Sequence, residues 1–344
     1  MRVGLLFPGQ GSQFVGMGKE LFDAFPAARA TYEEADSILG FSISGISFEG
    51  PEDTLRQTLN TQPAIFVHSI AAFRVLREEG LSPAAGMGPS AAAARASQGE
   101  GDRGATSSVG RLSPELAAGH SLGEYSALVA AGAVDFKEAL LVVRKRGELM
   151  HEAGLERPGT MAAILGLSPD EVEGICREAS AAGLVQPANI NSSSQLVISG
   201  EVKGVEEAVR LAWERGAKKA VKLPVSGAFH SPLMASAAKG LSEVLSGVAL
   251  RRASFAVVAN YSAAPVSEPE EIRANLAKQV LGAVRWQESM NVMLSSGLTH
   301  FLEIGPGSVL KGLMRGIDRG VGVHPVGTPG DVSGVAELVK STSV

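Results

Sequence analysis

The apolar positions along the chain change period several times, and each change marks an element. Residues 3–7 form an unbroken apolar run closed by Pro8 and Gly9, the pattern of a short strand buried on both faces. Residues 17–39 alternate apolar and polar faces at helical spacing, predicting one or two amphipathic helices. Residues 64–79 predict a long helix entered through Thr61-Gln62-Pro63, and 122–131 and 136–152 add two more. Between about 159 and 226 the rhythm becomes strand (160–167), helix (169–180, with Ser168 as its cap), hairpin or paired strands (189–199), helix (205–215) and strand (219–224). That β-α-β-β-α-β order is the split βαβ pattern of a ferredoxin-like unit. Alternation then resumes through 257–259, 300–304 and a C-terminal helix. The pattern predicts an α/β protein with a largely parallel sheet, its large domain built from 1–157 and 226–344, and a small ferredoxin-like α+β domain inserted at 158–225.

Residues 83–111 break this rhythm. They are rich in small and polar residues and poor in large apolar ones, so they are expected to form a surface insertion. The 344-residue chain is 45% hydrophobic and 19% charged, enough apolar material to fill a large core, and no run approaches the roughly 18 apolar residues of a membrane span. The apolar start is cut at Pro8, too short for the core of a signal peptide, so a cytoplasmic protein is expected. The single cysteine, Cys176, excludes an internal disulfide framework and a Cys-based zinc site; among helix formers it reads as a structural thiol. A net charge of -5 without a long basic run argues against nucleic acid as the main partner.

Chemistry enters at Gly119-His120-Ser121-Leu122-Gly123, which follows the apolar Leu116-Ala117-Ala118 run and opens a helical segment. This is the pattern of a nucleophile elbow, with a large α/β-hydrolase-like domain as its expected setting. A serine on a tight strand-to-helix turn has its hydroxyl lifted into the open, and the next N–H, that of Leu122, faces the place where an oxyanion would form. The hydroxyl needs a base. His230, in Ala228-Phe229-His230-Ser231-Pro232, follows a strand in a turn-rich segment and precedes a helix, where a side chain is presented to a cleft. His68 lies in an apolar helical stretch and reads as a packed core histidine, while His151, His300 and His324 read as surface or strand-end residues. His120 adjoins the nucleophile, points away from it and is expected to play a supporting part. Gly9 and Gly11 let the backbone around Gln10 approach a ligand closely. This loop is not a nucleotide motif: Phe14 stands where G-x-G-x-x-G needs glycine, and Glu20 where a P-loop needs Ser or Thr.

Together with Phe7-Pro8-Gly9-Gln10-Gly11-Ser12-Gln13, the elbow extended to Gly123-Glu124-Tyr125, Arg146-Gly147-Glu148-Leu149-Met150, Phe229-His230-Ser231-Pro232-Leu233-Met234 and Glu303-Ile304-Gly305-Pro306-Gly307, the chain resembles the malonyl-CoA:acyl carrier protein transacylases, the malonyltransferases of type II fatty acid synthesis. The likeness spans the whole chain except the insertion. It implies a dyad of Ser121 as nucleophile and His230 as base, with the backbone carbonyl of Gln279 orienting the imidazole. It implies an oxyanion hole of the Leu122 and Gln10 amides, and Arg146 as the clamp for the free malonyl carboxylate. Phe229 then corresponds to the bulky residue that selects malonyl over branched analogues, and Asn191 and Asn260 to asparagines near the pocket. The implied substrates are malonyl-CoA and holo acyl carrier protein, with no metal or bound cofactor and a monomeric enzyme. Lys218, Lys219 and Lys222, or Lys311, Arg315 and Arg319, are candidate docking cations for an acidic carrier. A discrete malonyltransferase of polyketide synthesis would carry the same motifs. An esterase would want an acid between serine and histidine and would have no use for Arg146. A non-catalytic docking protein for a carrier would tolerate loss of Ser121 or His230, and both are present.

Overall fold

The computed structural model describes residues 1–80 and 112–341; the expected insertion at 83–111 lies outside the described residues. The strands are β1 (Arg2–Phe7), β2 (Ser113–Gly119), β3 (Thr160–Leu165), β4 (Val185–Ser192), β5 (Gln195–Gly200), β6 (Lys219–Lys222), β7 (Ala256–Val258), β8 (Pro265–Val266), β9 (His300–Ile304) and β10 (Gly322–Val326). Six of them form one sheet in the order β10-β9-β1-β2-β7-β8, parallel except for the β7–β8 pair. Alternate residues of β1 supply opposite faces: Val3, Leu5 and Phe7 join the larger core, and Leu6 packs with Phe301, Trp286 and Met290 on the other side. Both faces are therefore covered, as a parallel sheet requires. The larger core carries the helices Thr58–Glu78, Gly123–Ala130 and Phe136–Glu156; Trp286–Ser295 and Val309–Met314 cover the opposite face.

The remaining four strands form an antiparallel sheet in the order β4-β5-β3-β6. The helix Pro169–Ala179, opened by a capping box between Ser168 and Glu171, and the helix Val202–Glu214 cover it around Ile164, Ile175, Ile198 and Val205. This is the ferredoxin-like order. A parallel bridge between Asn189 and Val284 ties β4 to the region of the large sheet.

Two of the differences from expectation have a clear physical cause. The long helix begins at Thr58, so Pro63 lies inside it. The carbonyl of Leu59, which Pro63 cannot serve, accepts instead from Arg144 Nη1 at 2.9 Å. The strand β10, interrupted in pattern by Pro325, was not expected at all; it is an edge strand, where proline is tolerated.

Candidate active site

The strand β2 runs into Ser121, whose φ of 52° places it in the left-handed region, and the helix Gly123–Ala130 departs at once. The turn is possible because its neighbours lack side chains. A Cβ on Gly123 would lie 2.1 Å from the Phe7 carbonyl oxygen, and one on Gly9 would lie 2.2 Å from that of His120. Glycine at these two positions brings the Pro8–Gly9–Gln10 loop and the helix start against the elbow. Among the described residues, neither the Gln10 nor the Leu122 backbone amide has a hydrogen-bond partner, and both residues line the cleft. Two free donors in a cleft that also holds the Ser121 hydroxyl can hold a developing oxyanion.

His230 also adopts a left-handed φ, 58°, and its carbonyl is tied down by Gln186 Nε2 at 2.9 Å. Its Nε2 lies 2.8 Å from Ser121 Oγ, and its Nδ1 lies 2.8 Å from the carbonyl oxygen of Gln279. A carbonyl only accepts, so Nδ1 carries the hydrogen and the Nε2 lone pair faces the serine hydroxyl. Burial, seconded by the positive charge of Arg146, pushes the imidazole down to about 3, so it is neutral and ready to accept a proton at pH 7. No carboxylate bonds His230 among the described residues, unlike the acid-assisted triad of an esterase.

Arg146, on the Phe136–Glu156 helix, is 1% exposed. It is not part of an exposed charged face with Arg144 and Lys145, because its side chain turns inward. Nη2 donates to Ser121 Oγ at 3.1 Å and to Gln279 Oε1 at 3.1 Å, and Nη1 to Gln62 Oε1 at 2.6 Å. A buried guanidinium with neutral partners, next to a nucleophile, suits an acyl group that ends in an anion.

The cleft encloses about 540 Å³ including its open mouth. Its polar floor comprises Gln10, Gln62, Ser121, Arg146 and His230, and Met150, Met161, Leu223, Val225 and Phe229 form an apolar wall. The second sheet contributes Met161 and Asn189, so the cleft lies between the two sheets. Asn191 does not line it: its Oδ1 meets His120 Nε2 at 2.9 Å, and Asn189, two residues earlier, takes the lining position. On a regular strand two residues two apart share a face; the register irregularity between Ile190 and Ser192 breaks that rule here, which spacing alone does not reveal. Gln279 acts through its contacts and does not line the cleft. Asn260 is likewise set back, its Oδ1 accepting from the Ser121 amide at 2.6 Å. Gln62 was noted in the sequence only as part of a helix start, and Glu124 only as part of a motif. An acid within the apolar run 122–131 is the signal that could have marked the latter. Among the described residues no three His, Cys, Asp or Glu side chains gather as metal ligands, and no helix is long and apolar enough to cross a membrane.

The acyl transferase domain family matches residues 5–100 and 104–326. A malonyl CoA-acyl carrier protein transacylase of Bacillus subtilis is 42% identical over 340 residues, covering 98% of each chain. The acyl-carrier-protein S-malonyltransferase of Bartonella henselae is 40% identical, covering 99% of this chain and all of its own, with a TM-score of 0.87. A malonyl-transacylase solved in complex with its type II polyketide acyl-carrier protein is 37% identical over 98% of this chain and 100% of that one, again at 0.87. With the motifs in order along the whole length, the chain belongs to the malonyl CoA-acyl carrier protein transacylase family of acyltransferases.

Proposed function

We propose that this enzyme transfers the malonyl group of malonyl-CoA to the phosphopantetheine thiol of an acyl carrier protein, through an ester on Ser121, and so supplies fatty acid elongation. In the first half, Ser121 Oγ attacks the thioester carbonyl while His230 Nε2 takes its proton. The tetrahedral oxyanion accepts from the Leu122 and Gln10 amides. The C–S bond then breaks, and coenzyme A leaves as its thiol with the proton returned by His230. In the second half the carrier thiol attacks the malonyl-serine ester and the same groups act in reverse order. Gln279 holds the imidazole through its carbonyl, Asn191 holds His120 beside the elbow, and Phe229 narrows the wall of the cleft against a branch at C2. Residues 158–225 act as a small domain that closes one side of the cleft.

The observation that carries this reading is the position of Arg146, whose Nη2 is 3.1 Å from the nucleophile at the floor of a cleft. An acyl chain with its carboxylate two bonds beyond the thioester carbonyl reaches both at once, and an acetyl group reaches only one. For the carrier, Lys311 in the last turn of the Val309–Met314 helix and Arg315 just after it have no ion-pair partner among the described residues. Lys222 of the other candidate cluster is already paired with Glu206. Lys311, Arg315 and Arg319, none of them ion-paired among the described residues, are the face proposed to meet an acidic carrier.

Intact-mass spectrometry after brief exposure to malonyl-CoA tests the proposal. A malonyl adduct is expected on the wild type, lost in Ser121→Ala, and discharged by holo acyl carrier protein. Carriers of both fatty acid and polyketide type belong in that experiment, given the pairing in the solved relative. An ester that water removes and no carrier accepts would return the protein to the hydrolases.

A further inference from the structure

Glu124 begins the elbow helix and is buried, 2% exposed. Its Oε2 accepts two hydrogen bonds, from the backbone amide of Asn260 at 3.0 Å and from Gln279 Nε2 at 2.7 Å. The same two residues grip Ser121 from opposite sides. Asn260 Oδ1 accepts from the Ser121 amide at 2.6 Å, and Gln279 Nε2 donates also to the Ser121 carbonyl at 2.9 Å. Asn260 Nδ2 completes the grip by donating to the Gly119 carbonyl at 2.7 Å. One carboxylate oxygen thus closes a ring of bonds around the residue whose φ of 52° most needs support.

The carboxylate also decides which way the Gln279 amide faces. With Nε2 toward Glu124 and the Ser121 carbonyl, Oε1 is left facing Arg146 Nη2 at 3.1 Å. The flipped amide would set an oxygen against a carboxylate and a carbonyl, and an NH2 against a guanidinium.

We propose that Glu124 is a positioning residue for acyl transfer, holding the Ser121 peptide and the Arg146 guanidinium on one frame through Asn260 and Gln279. The frame keeps the nucleophile and the carboxylate clamp at their 3.1 Å spacing. Burial raises the Glu124 carboxyl to about 7, opposed by its two hydrogen bonds and by the charge of Arg146, so ionising it here is costly and the bonds it makes offset that cost. The inference rests on the proposed role of Ser121 as nucleophile.

The test compares wild type with Glu124→Ala and Glu124→Gln in two assays: malonyl transfer from malonyl-CoA, and covalent labelling of Ser121 by phenylmethylsulfonyl fluoride followed by intact mass. Thermal unfolding confirms the folded fraction. Misplacing a reacting group by about 1 Å costs roughly 10²-fold, so folded Glu124→Ala is expected to lose about that factor in kcat and in labelling rate. Glu124→Gln, whose amide oxygen can occupy the Oε2 position, is expected to restore most of both. Folded Glu124→Ala within about threefold of wild type in both assays, or Glu124→Gln as slow as Glu124→Ala, would overturn the proposal. Should Glu124→Ala not fold, Gln279→Met replaces it, since its backbone carbonyl still serves His230; it is expected to show the same loss, and unchanged rates would count equally against the frame. A wild type that labels at Ser121 yet takes no malonyl group would refute the transfer reaction, while the labelling rates of the variants would still decide the role of Glu124.

Discussion

Arg146 keeps a full charge at 1% exposure with Gln62, Gln279 and Ser121 as its hydrogen-bond acceptors, all of them neutral. Desolvation lowers its pKa, and Tyr125 and Glu124 resist that fall. Such a site lacks an anion at the place where the substrate's own carboxylate would sit. Hydrogen bonds to charged groups contribute about 1.5–3 kcal/mol each, so losing a two-pronged contact weakens transition-state binding by about 3–6 kcal/mol, or roughly 10²–10⁴ in kcat/KM. Arg146→Ala is therefore expected to lose that much with malonyl-CoA and less than about tenfold with acetyl-CoA, by competition kinetics. Equal losses for both would assign Arg146 to the shape of the site rather than to substrate choice. Arg146→Lys should not restore the preference, because an ammonium has no planar fork. The Ser121–His230 pair, which meets at 2.8 Å, was legible from local sequence because an elbow and a turn-borne histidine have spacing of their own. Arg146 was legible only through the family motif, since residues 144–146 alone read as a charged helix face. Gln62 carries no local pattern and Glu124 only that of an acid in an apolar run: what makes them matter is their contact with Arg146 or Gln279, residues distant in sequence.

Among the elements, the Thr58–Glu78 helix couples fold to site most directly. Its first turns hold Gln62 on Arg146, yet Pro63 removes the N–H that would have served the Leu59 carbonyl. Arg144, one residue pair earlier on the Phe136–Glu156 helix, supplies the missing donor and also meets Asn60 Oδ1 at 3.1 Å. That repair comes from a residue 85 positions away, which is why the sequence placed the helix start at the proline. The alternation of strands and helices, and the order of the inserted β-α-β-β-α-β unit, were legible because period and cap residues are local. The edge strand β10 was not, because Pro325 erases its pattern and only pairing with β9 defines it. Arg144→Ala is expected to cost about 1 kcal/mol, the loss of a hydrogen bond to a half-buried carbonyl, and to raise KM for malonyl-CoA as Gln62 loosens. Thermal unfolding and steady-state kinetics check the two halves. A fall in melting temperature with unchanged KM would show that the helix start holds Gln62 without Arg144.

Stability of the whole molecule should follow pH through buried groups of opposite sign. Burial raises the carboxyls of Glu124 and Glu303 from 4.5 to about 7, and lowers the imidazoles of His68 and His230 from 6.5 to about 4 and about 3. A raised acid binds its proton in the folded state first, so it adds stability as pH falls from about 7 to the unfolded value of 4.5. A lowered histidine is protonated first in the unfolded chain, so it removes stability as pH falls from 6.5 toward its folded value. Each contributes a slope of about 1.4 kcal/mol per pH unit, and between 6.5 and 4.5 two gains oppose two losses. His120 and His324, also lowered by burial, tilt this window toward a shallow loss on acidification. Below 4.5 the carboxyl gain is complete while the loss from His68 and His230 continues, so stability should drop steeply there. Thermal unfolding from pH 8 to pH 4 is expected to show a shallow slope and then a break. Glu124→Gln removes one of the two gains, so its stability should fall more steeply than wild type between 6.5 and 4.5, by about 1.4 kcal/mol per pH unit. Parallel curves for the two proteins in that window would mean that Glu124 does not take up a proton on folding.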